Sequence, residues 1–170
     1  MTIRDILCYP DPRLSQVSQP LTVFDEKSDM LINDMLDTMA DAEGIGLAAV
    51  QIGVLLRVTV ININEPLVLV NPEFKVLEDT MHCDEEGCLS LPGIRAEITR
   101  PSRIKVKAQD RQGNKIKLKA EGLESICIQH EIDHMDGKLF INKLTPLSKA
   151  KIDTPLRNLI ALYREKHQQN

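Results

Sequence analysis

Between Asp25 and Ala42 the apolar residues Leu31, Ile32, Met35, Leu36 and Met39 recur three and four apart, the spacing that gathers side chains on one face of a helix. Gly44 stands where a left-handed cap would stop it. Ahead of this helix, residues 1 to 23 set Pro10, Pro12 and Pro20 among apolar residues and read as an extended arm. Behind it, β-branched and alternating runs predict strands over 57–62, 67–70, 74–77, 94–99, 104–109 and 116–120. Asn64-Glu65-Pro66 and Asp110 to Asn114 supply the turns.

Helical spacing returns between Gly122 and Gly137, with apolar positions on two sides. At ~100° per residue, Leu123, Ile126, Cys127, His130 and His134 share one direction and Ile128, Ile132 and Met135 the opposite one. Only Ser125, Gln129, Asp133 and Asp136 form a polar strip, so the helix is predicted to be buried. Leu139 to Ile141 reads as a short strand, and a last helix from about Ser148 to Lys166 gathers Ile152, Leu156, Leu159, Ile160 and Tyr163 on one stripe. The order of elements does not alternate as a parallel sheet requires. The predicted fold class is therefore α+β: antiparallel or mixed sheets around a buried central helix, with an N-terminal and a C-terminal helix.

Composition then bounds the function. A chain of 170 residues, 42% hydrophobic and 27% charged, reads as one domain over residues 1–170, and as a monomer. A net charge of -4 gives no reason to expect the chain as a whole to bind nucleic acid, DNA included, and without Trp it lacks an aromatic platform for single strands. No apolar run approaches the ~20 residues of a membrane span, and the N-terminus has no signal-peptide core, so the expected location is the cytoplasm. Cys8, Cys83, Cys88 and Cys127 are irregularly spaced, which suits metal binding, catalysis or burial in a reducing compartment.

The chemistry concentrates in Gln129-His130-Glu131-Ile132-Asp133-His134. Two imidazoles one helical turn apart can grip one metal ion, and Glu131 lies beside it, where a general base is needed. A catalytic site needs a third ligand from elsewhere. Phe140 occupies the position where a metzincin protease has its third His, and Glu165 lies almost at the chain's end. Cys88, between Gly87 and Pro92-Gly93, sits in a sharp turn; a thiolate there would be a strong ligand, with the Leu89 N–H facing whatever the metal polarises. A merely buried cysteine is the alternative. Gly44 and Gly46 permit close backbone approach, and Gln51 offers an amide N–H to a developing oxyanion. Gly44-x-Gly46-x-x-Ala49 also fits the dinucleotide fingerprint, but a helix precedes it and a strand follows, the reverse of what that motif requires.

Three separated motifs, Gly44-Ile45-Gly46-Leu47-Ala48-Ala49-Val50-Gln51, Glu86-Gly87-Cys88-Leu89-Ser90 and the His-Glu-x-x-His helix, closely resemble those of bacterial peptide deformylases. The resemblance implies hydrolysis of the formyl group from the N-terminal formyl-methionine of nascent peptides, with release of formate. It implies a divalent metal, ferrous iron ahead of zinc, nickel or cobalt, on Cys88, His130 and His134. Glu131 would carry the proton, and Gln51 and the Leu89 N–H would hold the oxyanion. Leu123, Ile126 and Cys127 would line the methionine pocket; Ile45, Gly46, Glu86 and Gly87 would border the peptide backbone, with Arg95 at the rim. Because such substrates emerge from ribosomes, the stretch from Ser148, with five basic residues against two acidic, is expected to dock there or simply to be solvated. Two other functions stay open: a metallopeptidase, and a non-catalytic protein in which Cys83 completes a structural Cys2His2 zinc site.

Overall fold

A computed structural model describes residues 2–168. The arm passes through a 3-10 turn at Pro12–Ser15 into helix α1 (Glu26–Asp41). Asp25 and Ser28 start this helix reciprocally: the Ser28 N–H donates to Asp25 Oδ1 at 3.0 Å and the Asp25 N–H to Ser28 Oγ at 2.9 Å. Its end departs from expectation, because Glu43, not Gly44, takes the left-handed conformation at φ 53°.

The strands are β1 (Gly46–Ala48), β2 (Val58–Asn62), β3 (Pro66–Val76), β4 (Met81–Gly87), β5 (Arg95–Pro101), β6 (Arg103–Gln109) and β7 (Lys115–Glu121). Five pair antiparallel in the order β1-β2-β3-β6-β7, and β4 and β5 form a separate two-stranded ribbon. β3 joins two predicted strands into one, with a register shift between Val70 and Glu73. Asn71, at φ 51°, absorbs the shift, and its side-chain amide donates to Leu21 O and Gln109 Oε1, both at 2.8 Å. β4 was not predicted: Met81-His82-Cys83-Asp84-Glu85-Glu86-Gly87 has no apolar alternation, and its strand form comes from pairing with β5 along its whole length.

Helix α2 (Gly122–Met135) carries the metal-binding motif, and every residue from Ser125 to Ile132 is buried. Cys127, Ile128 and Ile132 pack on Ile61, Leu69, Ile104 and Val106 of the sheet. Alternate residues of β2, Val58 and Val60, turn to the other face and meet Ile32, Met35 and Met39 of α1. Even the polar strip of α2 is enclosed, since Gln129 Nε2 donates to Pro101 O at 2.9 Å. α2 is thus the buried central helix of an α+β fold, as the sequence predicts.

Beyond α2, residues predicted as a strand form a 3-10 turn, Phe140–Lys143, because the Asn142 side chain accepts the Leu139 N–H at 2.8 Å and curls the backbone. The last predicted helix is two, α3 (Pro146–Lys151) and α4 (Asp153–Gln168), broken at Ile152. Pro155 is the cause: it has no N–H for the Lys151 carbonyl and its ring crowds that group. Ile152 joins Leu91, Ile94, Ile98, Phe140 and Ile141 in a third apolar cluster, which fixes the ribbon to the C-terminal segment. No helix among the described residues is long and apolar enough to cross a membrane.

Candidate metal centre

One turn apart on α2, His130 and His134 bring their Nε2 atoms to 3.2 Å, and Cys88 Sγ lies 3.2 Å from His134 Nε2. Cys88 reaches them because β4 ends at Gly87 and the chain turns at once, the Leu91 N–H donating to Cys88 O at 2.9 Å. Metal–N bonds of about 2.0 Å and metal–S bonds of about 2.3 Å at tetrahedral angles would separate the donors by about 3.3 to 3.5 Å. Both separations from His134 Nε2 are within a few tenths of an ångström of that arrangement, and all three donor atoms lie within 4.8 Å of one another. Cys83 is exposed on β4 and stands outside the group.

The imidazole of His130 is held from behind. Its Nδ1 lies 2.9 Å from Glu86 Oε2, and Arg100 grips the same carboxylate through Nε at 2.5 Å and Nη2 at 2.9 Å. Arg100 also reaches back to α2, where its Nη1 donates to Asp133 Oδ2 at 2.7 Å. A carboxylate on the far nitrogen fixes the tautomer that leaves Nε2 free to ligate. Burial works to raise the Glu86 pKa, yet the hydrogen bonds and charges of His130 and Arg100 hold it at about 2. Burial opposes protonation of His130, but hydrogen bonds to Cys88 and Glu86 outweigh it and push its pKa up to about 10. His134 goes the other way, held well below its ordinary value by burial and by the charge on His130.

Glu131 stands beside these ligands with its carboxyl raised to about 7 by burial, against the opposing charges of His130 and Arg100. Its Oε2 and the Nδ1 of His134 are buried without a hydrogen-bond partner among the described residues. An unpaired buried carboxyl oxygen next to a cysteine sulfur and two imidazoles fits a divalent cation, and the donor set suits zinc, iron, nickel or cobalt. Gln51, also buried, is aimed at the same place: Oε1 accepts the Ala48 N–H at 2.9 Å, while Nε2 donates to Ser90 Oγ at 3.1 Å and lies 3.6 Å from Cys88 Sγ.

A cleft of about 500 Å³ opens onto this group. Of the site residues expected from sequence, Ile45, Gly46, Gln51, Glu86, Gly87, Cys88, Leu89, Arg95, Leu123, Ile126, Cys127, His130 and Glu131 line it, and His134 lies behind the wall. Leu123 and Ile45 are exposed at its mouth, whereas Ile126 and Cys127 are buried along it. Arg95 pairs with Glu85 at 2.9 Å on the exposed side, and the Glu86 carboxylate turns inward to Arg100 and His130. A Cβ on Gly46 would fall 2.5 Å from Glu131 Oε1 and 2.9 Å from Cys127 Sγ, so β1 approaches α2 as only glycine can. Sequence reasoning missed Arg100, Ser90 and the lining residues Leu91 and Ile94. Ser90 was legible as part of its motif, but nothing in Thr99-Arg100-Pro101 marks a buried arginine.

Residues 3–150 match the polypeptide deformylase family. The chain is 46% identical over 160 residues to the peptide deformylase of Cellvibrio japonicus, covering 92% of this chain and 95% of that one. It is also 46% identical over 156 residues to the Pseudomonas aeruginosa peptide deformylase, covering 89% and 93%. Among solved structures, a peptide deformylase from Legionella pneumophila superposes with a TM-score of 0.88 at 47% identity, covering 96% of this chain and 98% of that one. Arabidopsis thaliana peptide deformylase 1B, in complex with an inhibitor, superposes with a TM-score of 0.90 at 36% identity, covering 95% and 93%.

Proposed function

This chain belongs to the polypeptide deformylase family, metal-dependent hydrolases that remove the formyl group from nascent peptides, and from that membership we propose how its own residues divide the work. The observation that carries the reading is the meeting of Cys88 Sγ and two histidine Nε2 atoms beside the Glu131 carboxyl and the Gln51 amide. Cys88, His130 and His134 would hold the metal, for which we propose ferrous iron. Bound there, a divalent cation would supply Lewis acidity, bringing the pKa of a water down to about 7 and polarising the formyl carbonyl.

Glu131 would accept a proton from the attacking water and return it to the departing amine, a role its carboxyl, raised to about 7, is suited to near neutral pH. Gln51 Nε2 and the Leu89 N–H donate to the developing oxyanion, each contributing about 3 kcal/mol. The methionine side chain enters between Leu123, Ile126 and Cys127; Ile45, Gly46 and Gly87 border the peptide backbone, with Arg95 at the rim. The substrate is an N-formyl-methionyl peptide met in the cytoplasm. The exposed basic residues of α3 and α4, Lys149, Lys151, Arg157, Arg164 and Lys166, support docking of a monomeric enzyme on ribosomes.

The test is metal analysis of protein purified without oxygen, paired with formate release from a formyl-Met tripeptide. One equivalent of iron and stoichiometric formate are expected. Peptide-bond cleavage without formate would assign a metallopeptidase instead, and loss of the ion from Cys83→Ser would assign a structural zinc site. Ribosome co-sedimentation that survives deletion of residues 148 to 170 would count against docking through α3 and α4.

A further inference from the structure

The face of the sheet turned away from α2 carries a lattice of lysines. On β6 and β7, Ile104, Val106, Ala108 and Ala120 point into the core, so the alternate residues point out. Those residues are Lys105, Lys107, Lys115, Lys117 and Lys119, and β3 adds Lys75; all six are exposed. The register sets them side by side: Lys75 opposite Lys105, Lys105 opposite Lys119, and Lys107 opposite Lys117. Directly opposed side chains stand about 4.5 to 5.5 Å apart at Cβ, and successive ones on a strand about 6.7 Å. With Glu73 opposite Lys107 as the one acid among them, the patch carries six positive charges and one negative, in a chain of net charge -4.

Edge protection does not account for this array. Lysines on an edge strand discourage edge-to-edge pairing, which would explain β7. Lys105 and Lys107 lie on β6 and Lys75 on β3, both interior strands, where like charges placed opposite one another destabilise the sheet. None of the six has a carboxylate within ion-pair distance among the described residues, whereas Arg103 at the margin pairs with both Glu78 and Glu121. α1 packs on this side of the sheet mainly at β1 and β2, and beyond them reaches the β6–β7 turn, where Arg111 pairs with Asp29. The charges are therefore unneutralised, regular and open to a partner.

We propose that this lysine face is a docking surface for the phosphodiester backbone of structured RNA, separate from both the catalytic cleft and the C-terminal helices. A repeating array of point charges matches a repeating row of phosphates. The outward positions of β6 and β7 hold no aromatic ring, so unpaired bases find nothing to stack on, and no apolar side chain that would insert into a lipid surface. The choice of RNA rests on the deformylase reading, because a nascent-peptide substrate is presented beside ribosomal RNA.

The experiment measures binding of a labelled RNA duplex of about 16 base pairs and of phosphatidylserine vesicles, with formate release followed in parallel. If all six lysines meet phosphates, RNA affinity falls about 10³-fold between about 50 and about 200 mM salt; Lys105→Gln/Lys107→Gln/Lys119→Gln should lose only about 40-fold over the same range. Single Lys105→Gln, with a log–log salt slope shallower by about 0.9, carries the test if the triple variant has lost formate release and hence its fold. Retention of RNA binding after deleting residues 148 to 170 supports a surface separate from α3 and α4. An unchanged slope in the lysine variants, no RNA binding at about 50 mM salt, or binding to vesicles alone overturns the proposal. Absence of formate release from the unaltered enzyme would instead overturn the deformylase reading, whatever the RNA result.

Discussion

Glu86 Oε2 meets His130 Nδ1 at 2.9 Å, and the remaining hydrogen bonds of that carboxylate are to Arg100. The pair ties the metal-binding helix to a ribbon that shares no sheet with it. Replacing the carboxylate with an amide keeps the shape and removes the charge that orients the imidazole. Glu86→Gln is expected to lower metal affinity by about 10- to 100-fold and, by leaving the buried Arg100 guanidinium with Asp133 as its remaining carboxylate partner, to cost about 1 to 3 kcal/mol of stability. Chelator competition reads the first and denaturant unfolding the second. Restoration of formate release by excess metal would show that Glu86 acts by orienting His130, whereas metal affinity unchanged from the unaltered enzyme would rule that role out.

Glu131→Gln separates proton transfer from metal binding. Glu131 lies outside the Cys88, His130, His134 group, so metal content should stay at that of the unaltered enzyme. Turnover of a formyl-Met peptide should fall by at least about 10²- to 10⁴-fold. Substantial remaining formate release would remove Glu131 from the role assigned to it.

Gly46→Ala tests the closeness of β1 to the catalytic helix. The added carbon has no room between Glu131 Oε1 and Cys127 Sγ, so either the strand or the carboxylate must move. Strain of about 1 to 3 kcal/mol is expected in thermal unfolding, together with a loss of about 10²-fold in kcat/KM from a displaced Glu131. Wild-type kcat/KM would mean that the cleft adapts and that the glycine is dispensable.

Asp11 offers a pH signature remote from the site. Its carboxylate accepts the Arg13 N–H at 3.0 Å and is held by Arg13 Nε at 2.9 Å and Nη2 at 2.7 Å, contacts that lower its pKa below 3.8. A depressed carboxyl pKa stabilises the fold above its ordinary value, and that stability is lost as pH falls through the folded-state value. Arg13 is half exposed, which limits the effect to about 1 kcal/mol. Asp11→Asn should therefore be less stable at neutral pH by about that much, with the gap closing as pH drops below 3.8. A gap that persists in acid would assign the cost to packing rather than charge.

What the sequence disclosed and what it withheld follow a physical line. Period places Leu31 to Met39 on a helix that buries one face, and an unbroken β-branched run places Val58 to Ile61 on a strand buried on both. The two histidines and Glu131 are legible because three consecutive constraints of α2 chemistry fall within five residues. β4 was invisible because its pairing with β5 comes from sequence-distant residues, and Arg100 because a buried guanidinium is explained only by Glu86 and Asp133. The break at Ile152 was written in Pro155, whose effect a stripe of apolar positions overrides on paper but not in a backbone.

The ligand set is split between two bodies. His130 and His134 ride a helix enclosed from Ser125 to Ile132, while Cys88 hangs from the end of a two-stranded ribbon, a unit marginal by itself in water. A metal ion held by all three is then a rivet between core and ribbon, with the Glu86, Arg100 and Asp133 contacts as a second fastening. Its departure should loosen β4 and β5 long before α2 feels it, so amide exchange in the ribbon becomes a gauge of how fully the enzyme is loaded.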